Sequence, residues 1–199
     1  MATTQTRLYT VQDLEKIPKS GPHIGSLFLE QHPDASDRHF ELLDGVIVER
    51  PQPTFAASII VSQLAFQVMN FIHEHKLNGA AMMVVGVQLS PHTVFVPSLA
   101  YMSKAGRERH PDEDAYVQGG PDLVAELALH NPVVMRQRVS RYLDTGTRLV
   151  WIVNAELQSV EVYRPDNTCT LLTGTMALDG YEVLPGLALP LGEIFDPEA

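Results

Sequence analysis

The residue with the clearest chemical potential is a glutamate inside an apolar run. Glu126 lies in DLVAELAL, residues 122–129, where most neighbours are aliphatic. A carboxylate in such a run is costly to bury unless it is paired, protonated or bound to a cation. The alternative is a solvent-facing side chain without a role, and alternation alone does not settle its face. Because glutamate is rarely fully buried unless it is paired, we favour a buried or functional Glu126.

Two further charged residues could complete a site around Glu126. Arg138 flanks the apolar stripe of a helix predicted from Pro132 to about Asp144, so it leans toward the sheet that carries Glu126. It could equally be a surface arginine whose aliphatic stem covers the apolar face. Glu41 begins a predicted hairpin, and taken alone it would be an ordinary solvated residue at a strand end.

Other residue types form no recognisable site. His73 and His75 are two positions apart on a predicted helix and therefore face different directions, and the other histidines lie in or beside loops. There is no Gly-rich phosphate loop and no GxSxG motif. Cys169, the only cysteine, cannot form an intrachain disulfide, which favours a reducing compartment, and we interpret it as a small core residue.

The elements that would position these residues begin with a hairpin and a long helix. Alternating residues on both sides of Asp44-Gly45 in FELLDGVIVER predict a tight hairpin. A helix is predicted over Phe55–Lys76, with Thr54 as N-cap and Asn78-Gly79 as its stop. Its polar stripe is narrow, which predicts a helix covered on more than one side, by a sheet and by a second subunit in a homodimer.

The remaining pattern interleaves strands and helices without a regular βαβ rhythm. Pro97 within VFVPSLAYM implies an edge position or a bulge, GRERHPDEDAYVQGGP is expected to be a polar loop, and a short helix after Thr10 should stop at Pro18. Strands are predicted in these further segments: 80–90, 94–102, 122–129, 148–154, 158–164 and 168–173. These observations predict one α/β domain over residues 1–199, with a core at about 9–195 and a mixed β-sheet flanked by helices.

Composition limits the partners. The formal net charge is −10 and the sequence pI is about 5.1, which weakens any sequence-blind binding of DNA. A local basic patch of Arg136, Arg138, Arg141 and Arg148 keeps DNA as a weak partner. Neither a signal peptide nor a membrane span is expected, because the start lacks an apolar region and the most apolar helix is interrupted by polar residues. We therefore expect a cytoplasmic protein.

The segments together resemble a known family. ELLDG, PDLVAEL and YLDTGTRLVWIV, in that order, are similar to the Uma-two family of putative restriction endonucleases, within the PD-(D/E)XK nuclease superfamily. The resemblance extends from about Tyr9 to Phe195. It implies a restriction-endonuclease-like fold and Mg²⁺-dependent hydrolysis of DNA phosphodiester bonds.

The resemblance also implies site residues. The two glutamates of the family fall on Glu41 and Glu126, which would be the Mg²⁺ ligands, because this ion prefers carboxylate oxygens. An aspartate ligand is expected where this chain has Ser98, and a catalytic lysine where it has Arg138. A family histidine and serine fall on two further positions that depart from the pattern: Ala57 and Leu129.

These departures lead to a hypothesis with two outcomes. Without the aspartate, Glu126 and Arg138 would form an ion pair in the place of the metal, and catalysis would be impaired or lost. An active chain would use Mg²⁺, whereas an inactive chain would need no cofactor. The alternatives are a non-catalytic interaction or dimerisation module that keeps the nuclease fold, and a protein that binds DNA through the basic patch without cutting it.

Overall fold

The computed structural model describes residues 10–11, 39–110 and 116–196. Beyond its first two residues, the short helix predicted after Thr10 lies outside these ranges. The described strands form two larger mixed sheets and one two-stranded ribbon. This arrangement confirms an α/β fold in which mixed sheets are flanked by helices.

The smaller of the two mixed sheets carries Glu41. It has five strands in the order β2-β1-β5-β4-β7, antiparallel except for the parallel pair of β4 and β7. The predicted hairpin is confirmed, with Asp44 at φ 49° and Gly45 at φ 80° in its turn. The strand bounds are β1 His39–Leu43, β2 Val46–Arg50, β4 Val87–Ser90, β5 Thr93–Phe95 and β7 Val117–Gln118.

The larger sheet carries Glu126. It has six strands in the order β11-β10-β9-β8-β6-β3, and β8 and β9 form its parallel pair. The strand bounds are β3 Ala80–Met82, β6 Leu99–Met102, β8 Leu123–Leu127, β9 Leu149–Asn154, β10 Ser159–Tyr163 and β11 Cys169–Thr173. Cys169 is exposed because β11 is the edge strand, so its prediction as a core residue is wrong.

The helices cover the six-stranded sheet on both faces. On one face lies α1, Phe55–Glu74, with the C-terminal α4, Leu191–Phe195. On the other face lies α3, Pro132–Asp144, together with apolar side chains of the five-stranded sheet. Two cores result, and the second one contains Val124, two positions before Glu126 on the same strand.

Several sequence boundaries need correction. The predicted strand at 80–90 is divided into β3 and β4, and the expected polar loop contains both a short helix, α2 Lys104–Glu108, and β7. Pro97 stands where the chain leaves the five-stranded sheet after β5 and enters the six-stranded sheet at β6. The ribbon at the end of the chain pairs β12, Ala177–Asp179, with β13, Ala188–Pro190.

The long helix α1 differs from expectation in two respects. By length and composition alone, α1 is long and apolar enough to cross a membrane, and one such helix is found among the described residues. This differs from the sequence expectation, in which no segment resembled a membrane span. Eight of its 20 residues are nevertheless buried in the protein. On its outer face Phe55 is 83% and Phe66 61% exposed, so no described residue covers these side chains fully.

Candidate functional site: a buried ion cluster

Strand alternation brings the two glutamates toward the same interior. In β8, Leu123 and Leu127 face α1, whereas Val124 packs in the core under α3. Glu126 shares the face of Val124 and is 4% exposed, and Glu41 on β1 is 3% exposed. The question that alternation left open is thus answered, and Glu126 is buried.

Arg138 lies between the two carboxylates. Asn131 caps α3 by accepting hydrogen bonds from the backbone of Val133 and Val134, which fixes where the helix starts and which face it buries. The guanidinium of Arg138 donates to Glu41 through Nη1 at 2.5 Å and Nη2 at 3.1 Å, and its Nη2 also donates to Glu126 at 2.5 Å. Arg138 is 2% exposed, so the interpretation as a surface arginine is wrong.

Neighbouring groups complete the cluster. The Tyr142 hydroxyl, one helical turn after Arg138, donates to Glu126 Oε1 at 2.8 Å. The backbone N–H of Val96 donates to Glu41 Oε1 at 2.6 Å, and it is available because the chain is between β5 and β6 at that point. The ring of Phe95 lies 4.1 Å from the guanidinium carbon of Arg138, a cation–π distance.

Burial and charge shift the pKa values of these groups in different directions. Burial raises the pKa of Glu126, and the nearby charge of Glu41 adds to this, while Arg138 opposes it. Burial would lower the pKa of Arg138, but the carboxylates of Glu126 and Glu41 outweigh it, and its pKa is raised well above the usual value. Burial, with the charge of Glu126, also raises the pKa of Tyr142. The arginine is therefore a permanent cation in this cluster.

Ser98 belongs to the same region but takes no part in the ion cluster. Leu99 pairs with Ala125 across β6 and β8, and extending that register by one residue places Ser98 level with Glu126. Ser98 is buried, yet none of the described hydrogen bonds joins its side chain to Glu41, Glu126 or Arg138. The position at which the resemblance implied an aspartate ligand is thus adjacent to the cluster and neutral.

The two other departures lie elsewhere. Ala57 on α1 and Leu129 after β8 both pack in the core on the opposite face of the six-stranded sheet. Two further acids of these sheets have other surroundings: Asp122 binds Arg148, and Glu49 is exposed on β2. The structure therefore brings together Glu41, Glu126 and Arg138, with Ser98 beside them.

The cluster does not fit a magnesium ion. Mg²⁺ requires free oxygen ligands in an octahedral arrangement. Here one cation already contacts both carboxylates, and Glu41 accepts three hydrogen bonds, from Arg138 and Val96. Across the described part of the chain, no group of three or more His, Cys, Asp or Glu residues could hold a metal ion. The guanidinium thus takes the position in which two carboxylates would share a metal.

Two participants were not found from the sequence. Neither Tyr142 nor Phe95 was among the site residues predicted from the sequence. The spacing of Arg138 and Tyr142, four positions apart on one helix, was the available indication that both face the same carboxylate. The proposed basic patch is also dispersed, since Arg141 binds Asp44 and Arg148 binds Asp122.

The mixed sheets and their flanking helices form a nuclease-like fold, and comparisons with known proteins agree. Residues 27–192 match the family model Uma2, described as putative restriction endonuclease, and the chain therefore belongs to this family. It is also similar in fold to the crystal structure of a putative nuclease belonging to DUF820 from Anabaena variabilis ATCC 29413. That match has a TM-score of 0.72 and 19% identity, and covers 94% of this chain and 97% of the other. A search of curated proteins gave no match.

Proposed function

We propose that this chain is a restriction-endonuclease-like protein whose own metal-dependent cleavage of DNA is impaired or lost. The observation that carries the proposal is the bridge from Arg138 to both Glu41 and Glu126. Restriction-endonuclease-like proteins generally use a divalent metal ion. The guanidinium of Arg138 cannot lose its charge by deprotonation. A metal ion could therefore bind the two carboxylates only if the whole side chain moved away.

Loss of the aspartate adds to this effect. A serine hydroxyl at Ser98 offers no charge to a hard cation, so a metal would have to be held by the two glutamates alone. Both would first have to give up their contacts with Arg138, and burial of uncompensated charge is expensive. The two departures therefore act in the same direction.

The decisive experiment restores both positions together. Ser98→Asp combined with Arg138→Lys should give Mg²⁺- or Mn²⁺-dependent nicking of supercoiled DNA, which the unaltered protein and each single variant lack. Circular dichroism must show that the double variant is folded, and the double variant with Glu126→Ala is its matched inactive control. Robust nicking by the unaltered protein, abolished by Glu126→Ala, would contradict the proposal.

A second candidate function is self-association through α1. Four exposed apolar residues lie opposite its buried face: Phe55, Ile59, Phe66 and Met69. With Ser62 they alternate at spacings of four and three, which is the repeat of helices that pair along a seam. We therefore infer a homodimer in which α1 packs against α1 of a second copy, in a cytoplasmic protein.

Sedimentation measurements test the dimer. Phe66→Glu should convert a dimer into a monomer, because a buried unpaired charge at the seam is costly. Ala56→Glu is the matched control, since Ala56 is exposed on the same helix but away from the seam. A monomeric unaltered protein, or a Phe66→Glu variant that stays dimeric, would contradict this assignment. Nicking and association are independent readouts, so the two candidates are separable.

A further inference from the structure

A second polar region lies at the other end of β8, away from the ion cluster. A cavity of about 620 Å³ opens there between α2, the start of β8 and the end of α3. Its charged lining residues are Arg109, His110, Asp122 and Arg148. Glu41, Glu126 and Arg138 are not among the lining residues, so this cavity is separate from the ion cluster.

Asp122 is fully engaged and holds one arginine in place. Its Oδ2 accepts the backbone N–H of Ser103 at 2.7 Å, and its Oδ1 accepts Nε and Nη2 of Arg148 at 3.3 and 3.0 Å. Burial would raise the pKa of Asp122, but the hydrogen bonds from Ser103 and Arg148 outweigh it and lower the pKa. The carboxylate is therefore ionised, and its charge is matched by Arg148.

The other groups around the cavity are donors. Arg109 Nη2 lies 3.9 Å from Asp122 Oδ1, at ion-pair distance but beyond hydrogen-bond distance, so two guanidinium groups share this one carboxylate among the described lining residues. The backbone N–H of Gln118 donates to His110 Nδ1 at 3.3 Å, which assigns the ring proton of a neutral His110 to Nε2. Asp122 engages only Nε and Nη2 of Arg148, so the described hydrogen bonds leave its Nη1 unused.

Among the described lining residues, two arginines against one aspartate leave one surplus positive charge, which favours an acceptor-rich anion. We infer that this cavity binds the phosphate group of a nucleotide-sized small molecule through Arg109, Arg148 and His110. Phosphate offers several acceptor oxygens and pairs well with guanidinium groups. The volume is within the range of small-molecule sites. The net charge of −10 argues against a nucleic-acid backbone as the occupant.

Calorimetric titration of the full chain tests this inference, with inorganic phosphate and adenosine 5′-monophosphate as probes and adenosine as the ligand without phosphate. We expect the monophosphate to bind and adenosine not to bind. Arg109→Gln should weaken binding of the monophosphate about tenfold, because it removes one charge-assisted contact. This variant should fold normally, because the Arg109 side chain is 60% exposed. Arg136→Gln, an exposed arginine on α3 outside the cavity, is the matched control.

Three results would overturn the inference. The first is no heat of binding with either phosphate probe at millimolar concentration. The second is equal affinity of the unaltered protein and Arg109→Gln. The third is that a DNA duplex binds through Arg109 while the monophosphate does not bind. That result would assign the pocket to nucleic acid. None of these outcomes depends on whether the Glu41 and Glu126 region cleaves DNA.

Discussion

Replacing Arg138 by methionine isolates the role of its charge. Methionine keeps much of the length of the arginine stem but removes the guanidinium that contacts both Glu41 and Glu126. Two carboxylates, each less than 5% exposed, would then share a buried space without a counter-charge. Breaking a buried ion pair from one side costs about 3–5 kcal/mol. For a chain of this size we expect a fall in melting temperature on the order of 10 °C.

The assay is thermal and urea unfolding, with Arg136→Met as the matched control on the exposed side of α3. The control should differ from the unaltered protein by less than about 0.5 kcal/mol, as exposed substitutions usually do. Equal stability of the two variants would refute the electrostatic reasoning.

The pH dependence distinguishes charge from packing. In Arg138→Met the pKa of Glu126 is raised further in the folded state, because burial and the charge of Glu41 disfavour its ionisation and Arg138 no longer opposes them. A raised folded-state pKa gives stability that is present at low pH and lost as the pH rises through that pKa. The deficit relative to the unaltered protein should therefore shrink as the pH falls from neutral toward 5. A deficit independent of pH would indicate a packing defect instead.

Further predictions concern Glu126 and the cavity region, each measured by urea unfolding. Glu126→Gln mimics the protonated acid. Because burial raises the pKa of Glu126, this variant should be as stable as the unaltered protein or more stable at pH 7, and the difference should vanish below about pH 4. A loss of stability above about 2 kcal/mol at pH 7 would contradict this. Asp122→Asn should lower stability by about 1 kcal/mol at pH 7, a small value because Arg148 is partly exposed. The pKa of Asp122 is lowered in the folded protein, so this difference should disappear when the pH falls far enough to protonate the carboxylate. An unchanged difference in acid would count against the prediction. Gly120→Ala places a Cβ 2.5 Å from the backbone nitrogen of Thr147 and should cost about 1–3 kcal/mol, whereas a stability equal to the unaltered protein would show that the turn yields.

The sequence predicted the elements that have strong local patterns. The Asp44-Gly45 hairpin, the cap at Thr54 and the helix from Pro132 to Asp144 are all confirmed. Each depends on a few neighbouring residues, so its physical cause is visible within the segment. The fold class followed from the order of such elements and is confirmed by the family and structural matches.

The parts that could not be predicted depend on contacts between distant segments. Nothing local distinguishes a surface Arg138 from a buried one, since the carboxylate that decides this, Glu41, is 97 positions away. Cys169 was misplaced for a similar reason, because a strand at the edge of a sheet has the same local pattern as an interior strand. The cavity next to Asp122 likewise depends on three separate segments, 103–110, 118–122 and 145–148, and no local pattern indicates that they meet.

The bridge from Arg138 to two carboxylates also constrains how such a site can change over generations. Arg138→Lys alone leaves Ser98 neutral, and Ser98→Asp alone adds a third acid beside a single guanidinium. Under the proposed function, each single step is therefore either without catalytic benefit or destabilising, and activity would return only with the pair. A lineage with this arginine and this serine would then gain nothing from either reversal alone, which leaves selection on the fold to act on other properties.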